Sequence, residues 1–169
     1  MIFEKLLLPN EMCPTFESVT PEHLASLGIK YIFSDIDNTL ATYDDPTPPE
    51  NVVNWCREMN DAGIKIAFVS NNNEERVELF NRDFGYVAYA KAGKPLTRKL
   101  TRAMADLGAS KENSVLLGDQ LLTDAAAGNR AGMHVIIVPP IKDKTSAFFR
   151  FKRWLEKPYV KKFNKINNK

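Results

Sequence analysis

Four short runs of almost unbroken apolar character constrain this chain most: "KYIFSDI" at 30–36, "IKIAFVS" at 64–70, "NSVLLGD" at 113–119 and "MHVIIVPP" at 133–140. A strand with one wet face alternates polar and apolar residues. These runs do not, so they read as strands buried on both sides, as in parallel sheets. "YVAYA" at 86–90 reads as a shorter strand, the third of five in chain order. Segments of helical period lie between them. "PENVVNWCREMNDAG" places Val52, Val53, Trp55, Cys56 and Met59 close to helical spacing and stops at Gly63. "NNEERVELFNRDFG" offers Asn72 or Asn73 as a cap and Gly85 as a stop; "PLTRKLTRAMADLG" opens on Pro95 and closes on Gly108. "TDAAAGNRAG" reads as a helix of small residues. This alternation predicts an α/β fold, a mostly parallel five-stranded sheet with helices on both faces. Strand order is not readable from periodicity.

Ligands of open α/β sheets bind beyond the carboxyl ends of the strands, so the residues there carry the functional signal. The first run ends in Asp35 and Asp37, the second in Ser70 and Asn71. Lys91 and Lys94 follow "YVAYA", and Asp119, with Asp124 five residues on, ends the run at 113–119. Converging carboxylates repel unless a hard cation joins them, and oxygen ligands with little else point to Mg²⁺ beside a phosphate. A period of two puts Asp35 and Asp37 on one face, where one can serve as nucleophile and the other as a nearby acid. A carboxylate attacking phosphorus gives an aspartyl-phosphate, with Ser70, backbone N–H groups and Lys94 as donors to the charge. Plainer roles compete. Asp124 could cap the following helix, Ser70 or Asn71 could be an ordinary cap, and Lys91 reads as a solvated loop lysine.

"DIDNTL", "FVSNN", "KAGKP" and "GDQLLTD" resemble, in order and spacing, the four motifs of the haloacid dehalogenase-like (HAD) phosphatases. The resemblance implies a Rossmann-like sheet and Mg²⁺-dependent phosphomonoester hydrolysis. It implies Asp35 as nucleophile, Asp37 as general acid/base, and Ser70, Asn71 and Lys94 as phosphate-binding residues. Asp35, Asp119, Asp124 and the Asp37 backbone carbonyl would hold the metal. Many relatives insert a cap domain after the first or third strand. Here only the loop 41–49 and one helix follow Asp37 before the second strand, and about four residues separate the third strand from Lys94. No large cap fits, so an exposed site is expected. In this the chain looks like HAD subclass IIIA and its YqeG-like proteins, related to phosphatidylglycerophosphate phosphatases.

Net charge is +2, but residues 142–169 hold ten lysines and arginines against two acids, leaving an acidic body. The chain reads as a phosphatase domain over 1–140, with 1–29 as an arm packed on it, and a basic aromatic helical tail over 141–169. In the tail, Phe148, Phe151 and Leu155 share a helical face among Arg150, Arg153 and Lys157; Pro158 is expected to break the helix before Tyr159, Val160, Phe163 and Ile166 restart it. The aromatics could pack on the domain. Alternatively, 145–169 could lie on anionic membrane. Nucleic acid is not an expected partner, because the body is acidic and no RNA motif is present.

No apolar run approaches the roughly 20 residues of a membrane span. "MIFEKLLLPNEM" is a poor signal peptide, interrupted by Glu4 and Lys5, and Cys13 and Cys56 read as free thiols. The expected location is therefore cytoplasmic, with peripheral contact at the inner membrane face as an option. His23 and His134 have no neighbours in sequence that suggest catalysis. The expected substrate is a phosphorylated small molecule or a lipid headgroup such as phosphatidylglycerophosphate. A soluble sugar or nucleotide phosphate is the alternative, and a receiver-like phosphoacceptor domain is the alternative from a different class.

Overall fold

A computed structural model describes residues 2–142 and 146–167; Met1 of the expected arm and residues 143–145 and 168–169 of the expected tail lie outside the described residues. Six parallel strands form one sheet: β1 (Glu11–Met12), β2 (Tyr31–Ser34), β3 (Lys65–Val69), β4 (Val87–Tyr89), β5 (Ser114–Gly118) and β6 (His134–Ile137), in the order β1-β6-β5-β2-β3-β4. The chain winds outward from β2 through β3 to β4, then crosses to β5 on the other side. The carboxyl end of β2 thus lies at the reversal of strand order, where α/β sheets open a crevice.

The sixth strand corrects the expected five. Glu11–Met12 pairs with Ile136 and Ile137 at the edge of the sheet, and two residues are too few to show a period. Flanking bonds hold it: Asn10 N–H to the Val135 carbonyl and Cys13 N–H to the Ile137 carbonyl, both 3.0 Å. The arm is anchored further by Glu11, whose two carboxylate oxygens accept from His23 and His134 Nε2 at 2.6 Å each. The arm also contains two short helices, α1 (Ile2–Leu7) and α2 (Pro21–Ser26). Cys13 and Cys56 are free.

Alternation along each strand sends side chains to two cores. Ile32, Phe68, Val115 and Leu117 meet α3 (Glu50–Asp61) and α4 (Glu74–Asn81) through Trp55, Met59, Val77 and Phe80. Phe33, Val69 and Leu116 meet α5 (Arg98–Leu107) and α6 (Ala126–Ala131) through Leu100, Ala103 and Ala127. In α3 the buried set Val52, Trp55, Cys56 and Met59 follows the i, i+3, i+4, i+7 rule. Small residues let α6 lie close to the sheet: a Cβ on Gly128 would run into Val135 and Leu116.

Three segments depart from the expected boundaries. Helix α5 begins at Arg98, not Pro95, because residues 93–97 form a turn (Leu96 N–H to the Gly93 carbonyl, 2.9 Å) that delivers Lys94 to the sheet edge. Before α6 the chain makes one wide π-type turn, Leu121–Ala125. Finally, α7 (Ala147–Asn167) runs unbroken through Pro158. Contacts on both sides of the proline hold it: Arg153 and Glu156 bond the 119–122 loop, while Tyr159 and Val160 pack on Leu121, Ala125, Val135 and Ile137. No helix among the described residues is long and apolar enough to cross a membrane.

Candidate active site

Strand β2 ends its ladder at Ser34, yet the Asp35 N–H still reaches the Leu117 carbonyl at 2.9 Å, so Asp35 sits at the carboxyl edge of the sheet. A tight turn follows, in which the Ile36 carbonyl accepts from Thr39, Leu40 and Ala41. Asn38 takes φ 64°, a left-handed conformation that asparagine tolerates. The turn brings the Thr39 hydroxyl within 3.4 Å of Asp35 Oδ2 and of Asp119 Oδ1; its single proton can serve one at a time.

Asp37 is aimed by two donors. Asn72 Nδ2 bonds Oδ2 at 2.9 Å and Arg76 Nε bonds Oδ1 at 3.1 Å. Arg76 also donates to the Thr42, Asp45 and Pro46 carbonyls, pinning the loop after Asp37 to α4.

Strand β3 delivers Ser70, which is buried and accepts the Asn72 N–H on its Oγ at 3.1 Å. Asn71 uses both ends of its amide on the Lys94 backbone: Oδ1 accepts the Lys94 N–H at 2.8 Å and Nδ2 donates to its carbonyl at 3.0 Å. Its side chain therefore positions Lys94 while lining the same cavity. The buried Lys94 ammonium lies 3.0 Å from Asp35 Oδ1 and 2.7 Å from Asp124 Oδ1. Lys91 points to water and pairs loosely with Glu74 at 3.4 Å.

Asp119 follows β5, and Asp124 folds back over it. Asp124 Oδ2 accepts the N–H groups of Asp119 (3.2 Å) and Gln120 (3.1 Å), so it caps the loop before it and not the helix after it. Gly118 makes this possible, because any Cβ there would occupy the space of the Asp124 side chain. From α7, Arg153 Nη2 bonds Asp119 Oδ2 at 2.7 Å and Nη1 bonds the Asp119 carbonyl at 2.9 Å and Glu156 at 3.1 Å. Buried Glu156 accepts the Leu122 N–H at 3.1 Å. Arg153 and Glu156 thus hold the loop between the two aspartates at its start, Asp119, and at its middle, Leu122.

Carboxylate oxygens of Asp35, Asp119 and Asp124 lie within 4.8 Å of one another. Burial pushes the Asp35 carboxyl up to about 7, with Lys94 opposing and Asp124 reinforcing the rise. Asp119 is also raised well above the usual range, by burial and then by the charges of Asp124 and Asp35, against Arg153. Burial alone would lower Lys94, but Asp124 and Asp35 more than reverse that and keep it charged. With all three carboxylates ionised, Lys94 and Arg153 would leave the cluster negative, and a phosphate dianion would be repelled unless more positive charge joined it. All-oxygen donors, buried and converging, fit a hard divalent cation.

The cavity beside these groups measures about 280 Å³ and is lined by Asp35, Asp37, Ser70, Lys94 and Asp124, among others. Neither position between strands that could carry an insertion holds a domain: α3 and its loop fill one, residues 90–97 the other. The expected exposed site is nonetheless partly walled, because α7 folds over it and adds Phe149 and Lys152 to the lining. Sequence reasoning missed Thr39, Asn72, Arg76, Arg153 and Glu156. Glu156 carried a faint signal as the lone acid between Ala147 and Asn167, a helix rich in lysine and arginine.

Comparison with known proteins gives a consistent result. The chain is 40% identical over 156 residues to "Probable phosphatase YqeG" of Bacillus subtilis (strain 168), covering 92% of this chain and 91% of that one. Its fold is shared with CbbY (mutant D10N) of Rhodobacter sphaeroides, solved with xylulose-(1,5)bisphosphate: TM-score 0.56, 17% identity, 71% of this chain and 90% of that one. It is shared too with the cobalt-bound deoxy-D-mannose-octulosonate 8-phosphate phosphatase (YrbI) of Haemophilus influenzae: TM-score 0.51, 14% identity, 79% and 90% covered. Residues 4–132, which include every aspartate of the cluster, match the family described as haloacid dehalogenase-like hydrolase. The chain belongs to the haloacid dehalogenase-like hydrolases and is an enzyme of that family.

Proposed function

We propose that this protein is a Mg²⁺-dependent phosphomonoester hydrolase that works through an aspartyl-phosphate on Asp35, and that its substrate is a phospholipid phosphate such as phosphatidylglycerophosphate. The observation that carries the chemistry is the pairing at one sheet edge of Asp35, bonded by Lys94, with Asp37, aimed by Asn72 and Arg76. The likeness to a relative named a probable phosphatase supports it.

An Asp35 oxygen attacks phosphorus and the bond to the leaving oxygen breaks, while Asp37 supplies the proton that oxygen needs. Asp37, now a carboxylate, takes a proton from water as the water attacks the phosphorus. The bond from phosphorus to Asp35 then breaks and inorganic phosphate leaves. Ser70, the N–H groups around Asn71 and Lys94 hold the phosphoryl oxygens. Asp35, Asp119, Asp124 and the Asp37 carbonyl would hold Mg²⁺, which when bound offsets the negative charge of the nucleophile and the phosphoryl group. An acid two residues from the nucleophile favours hydrolysis over storage of the phosphoryl group, which weighs against a receiver-like role.

Helix α7 supports the lipid assignment. Its inner face lines the cavity, while Phe148, Phe151, Trp154 and Leu155 stand exposed beside Arg150 and Lys157. Aromatics at headgroup depth and cations on lipid phosphates would seat the helix on the inner face of a membrane, with the site at the surface. The test is phosphate release from phosphatidylglycerophosphate in mixed micelles and from p-nitrophenyl phosphate, with Mg²⁺ or EDTA, for wild type and Asp35→Asn. Metal-dependent release from both, lost in the variant, is expected. Cleavage of the aryl phosphate alone would overturn the lipid substrate, and cleavage of neither would overturn the phosphatase.

A further inference from the structure

Beside the active-site cavity a larger groove of about 960 Å³ runs between α7 and the segment after β6. Its lining carries five cations, Lys142, Arg150, Arg153, Lys157 and Lys161, against a single acid among the described residues, Glu156. That acid is buried and already bonded to Arg153 and the Leu122 N–H. Arg153 is committed to Asp119 and Glu156, and Lys142 bonds Asp44 at 2.6 Å. Arg150, Lys157 and Lys161 have no ion-pair partner among the described residues. Positions 150, 153, 157 and 161 recur at three- and four-residue spacing, which sets them on one helix face. Trp154 stands on the same side, exposed.

The groove adjoins the reacting groups. Phe149 lines both spaces, Asn38 in the groove wall follows Asp37 directly, and Arg153 reaches from the groove to Asp119. At about 1.5 Å of rise per residue, Arg150 and Lys157 lie about 4.5 and 6 Å along the helix on either side of Arg153. A concave, cationic surface continuous with a phosphate site suits an anion carried by the same molecule.

We propose that this groove binds a second phosphate-type anion, a phosphate or phosphodiester on the leaving group of the substrate, with Arg150, Lys157 and Lys161 as its donors. The proposal rests on the phosphatase reading for the meaning of "leaving group", but its test does not. In the full-length Asp35→Asn protein with Mg²⁺, calorimetry compares propyl phosphate with 1,3-propanediol bisphosphate, which differ only in the second phosphate. The bisphosphate is expected to bind at least about tenfold tighter, the scale of one or two charge-assisted hydrogen bonds. In Lys157→Ala/Lys161→Ala the ratio should fall to about twofold or less, and in Lys157→Arg/Lys161→Arg it should persist, which separates charge recognition from misfolding. Equal affinities for the two probes, or a ratio that survives the alanine pair, overturns the groove. Hydrolysis of p-nitrophenyl phosphate by wild type is scored separately, so its failure counts against the function and the affinity ratio alone decides the groove. Glycerophosphoglycerol and phosphatidylglycerol vesicles, as competitors, carry one phosphodiester in soluble and lipid form. Displacement by the soluble diester assigns the groove to a soluble leaving group and displacement by vesicles alone to a lipid one, and either upholds it.

Discussion

Gly118 and Asp124 share one volume, and the site depends on which of them fills it. Adding a methyl group at 118 pushes into the Asp124 carboxyl, which is backed by Lys94 and by the N–H groups of Asp119 and Gln120 and has little room to give. Gly118→Ala is therefore expected to weaken divalent-ion binding at least tenfold (about 1.4 kcal/mol), read as a loss of the rise in Tm on Mg²⁺ titration. An unchanged titration would show that Asp124 is not held there. Asp35 makes a second prediction. Burial raises its pKa from 3.8 to about 7 in the metal-free protein. A raised acid binds its proton more tightly folded than unfolded, so its contribution to stability falls as pH rises from about 4 to about 7. In EDTA, Asp35→Asn should melt above wild type at pH 8, with the gap closing toward pH 4 in a thermal-denaturation series; a gap that widened toward acid would contradict this. Among single residues, the two aspartates after β2, Ser70, Lys94 and Asp119 were legible because each directly follows a strand or opens a turn. Arg76 was not, since it meets Asp37 across 39 residues with no local pattern to announce it.

Helix α7 shows where reading by elements fails and why. Proline removes a donor from a helix at a cost of about 3 kcal/mol, and by that rule alone the chain should break at Pro158. It does not, because contacts with the domain on both sides fix the two halves in line. Strand β1 escaped notice for the opposite reason: two residues carry no period, and the bonds that make them a strand come from β6. The long buried strands were legible, since continuous apolar runs have few other uses. Because α7 lies beyond the family match at 4–132 yet reaches Asp119, docking of the helix and order in the 119–124 loop should be coupled. Arg153→Ala leaves Glu156 and Asp119 without their shared cation. Hydrogen exchange should then lose protection at least about fivefold in both α7 and the loop, on the scale of about 1 kcal/mol. Loss in α7 alone would show the helix to be a passive cover.

At the scale of the molecule, charge is divided. Residues 142–169 carry ten basic residues against two acids, while the remainder of the chain carries thirteen against nineteen. If α7 presents its exposed aromatics and cations to anionic lipid, cosedimentation with phosphatidylglycerol vesicles should be strong at low salt and fall steeply by 0.5 M salt, where the screening length drops below about 5 Å. Neutral phosphatidylcholine vesicles should bind little, and equal binding to both would show that charge does not draw α7 to the lipid. The order of the sheet, which sets β2 between β5 and β3 and so gathers all four motifs, was the part of the fold that periodicity could not supply.

The proposed chemistry turns on a covalent phosphoryl group on Asp35. Turnover of p-nitrophenyl phosphate with Mg²⁺ would be quenched in acid within milliseconds and the protein reduced with borohydride, which converts an acyl phosphate to an alcohol. Peptide mass spectrometry then reads position 35. Homoserine is expected there when substrate and Mg²⁺ are both present, and none in EDTA. Steady phosphate release with position 35 unmodified, or with the alcohol at Asp37, Asp119 or Asp124, would contradict it.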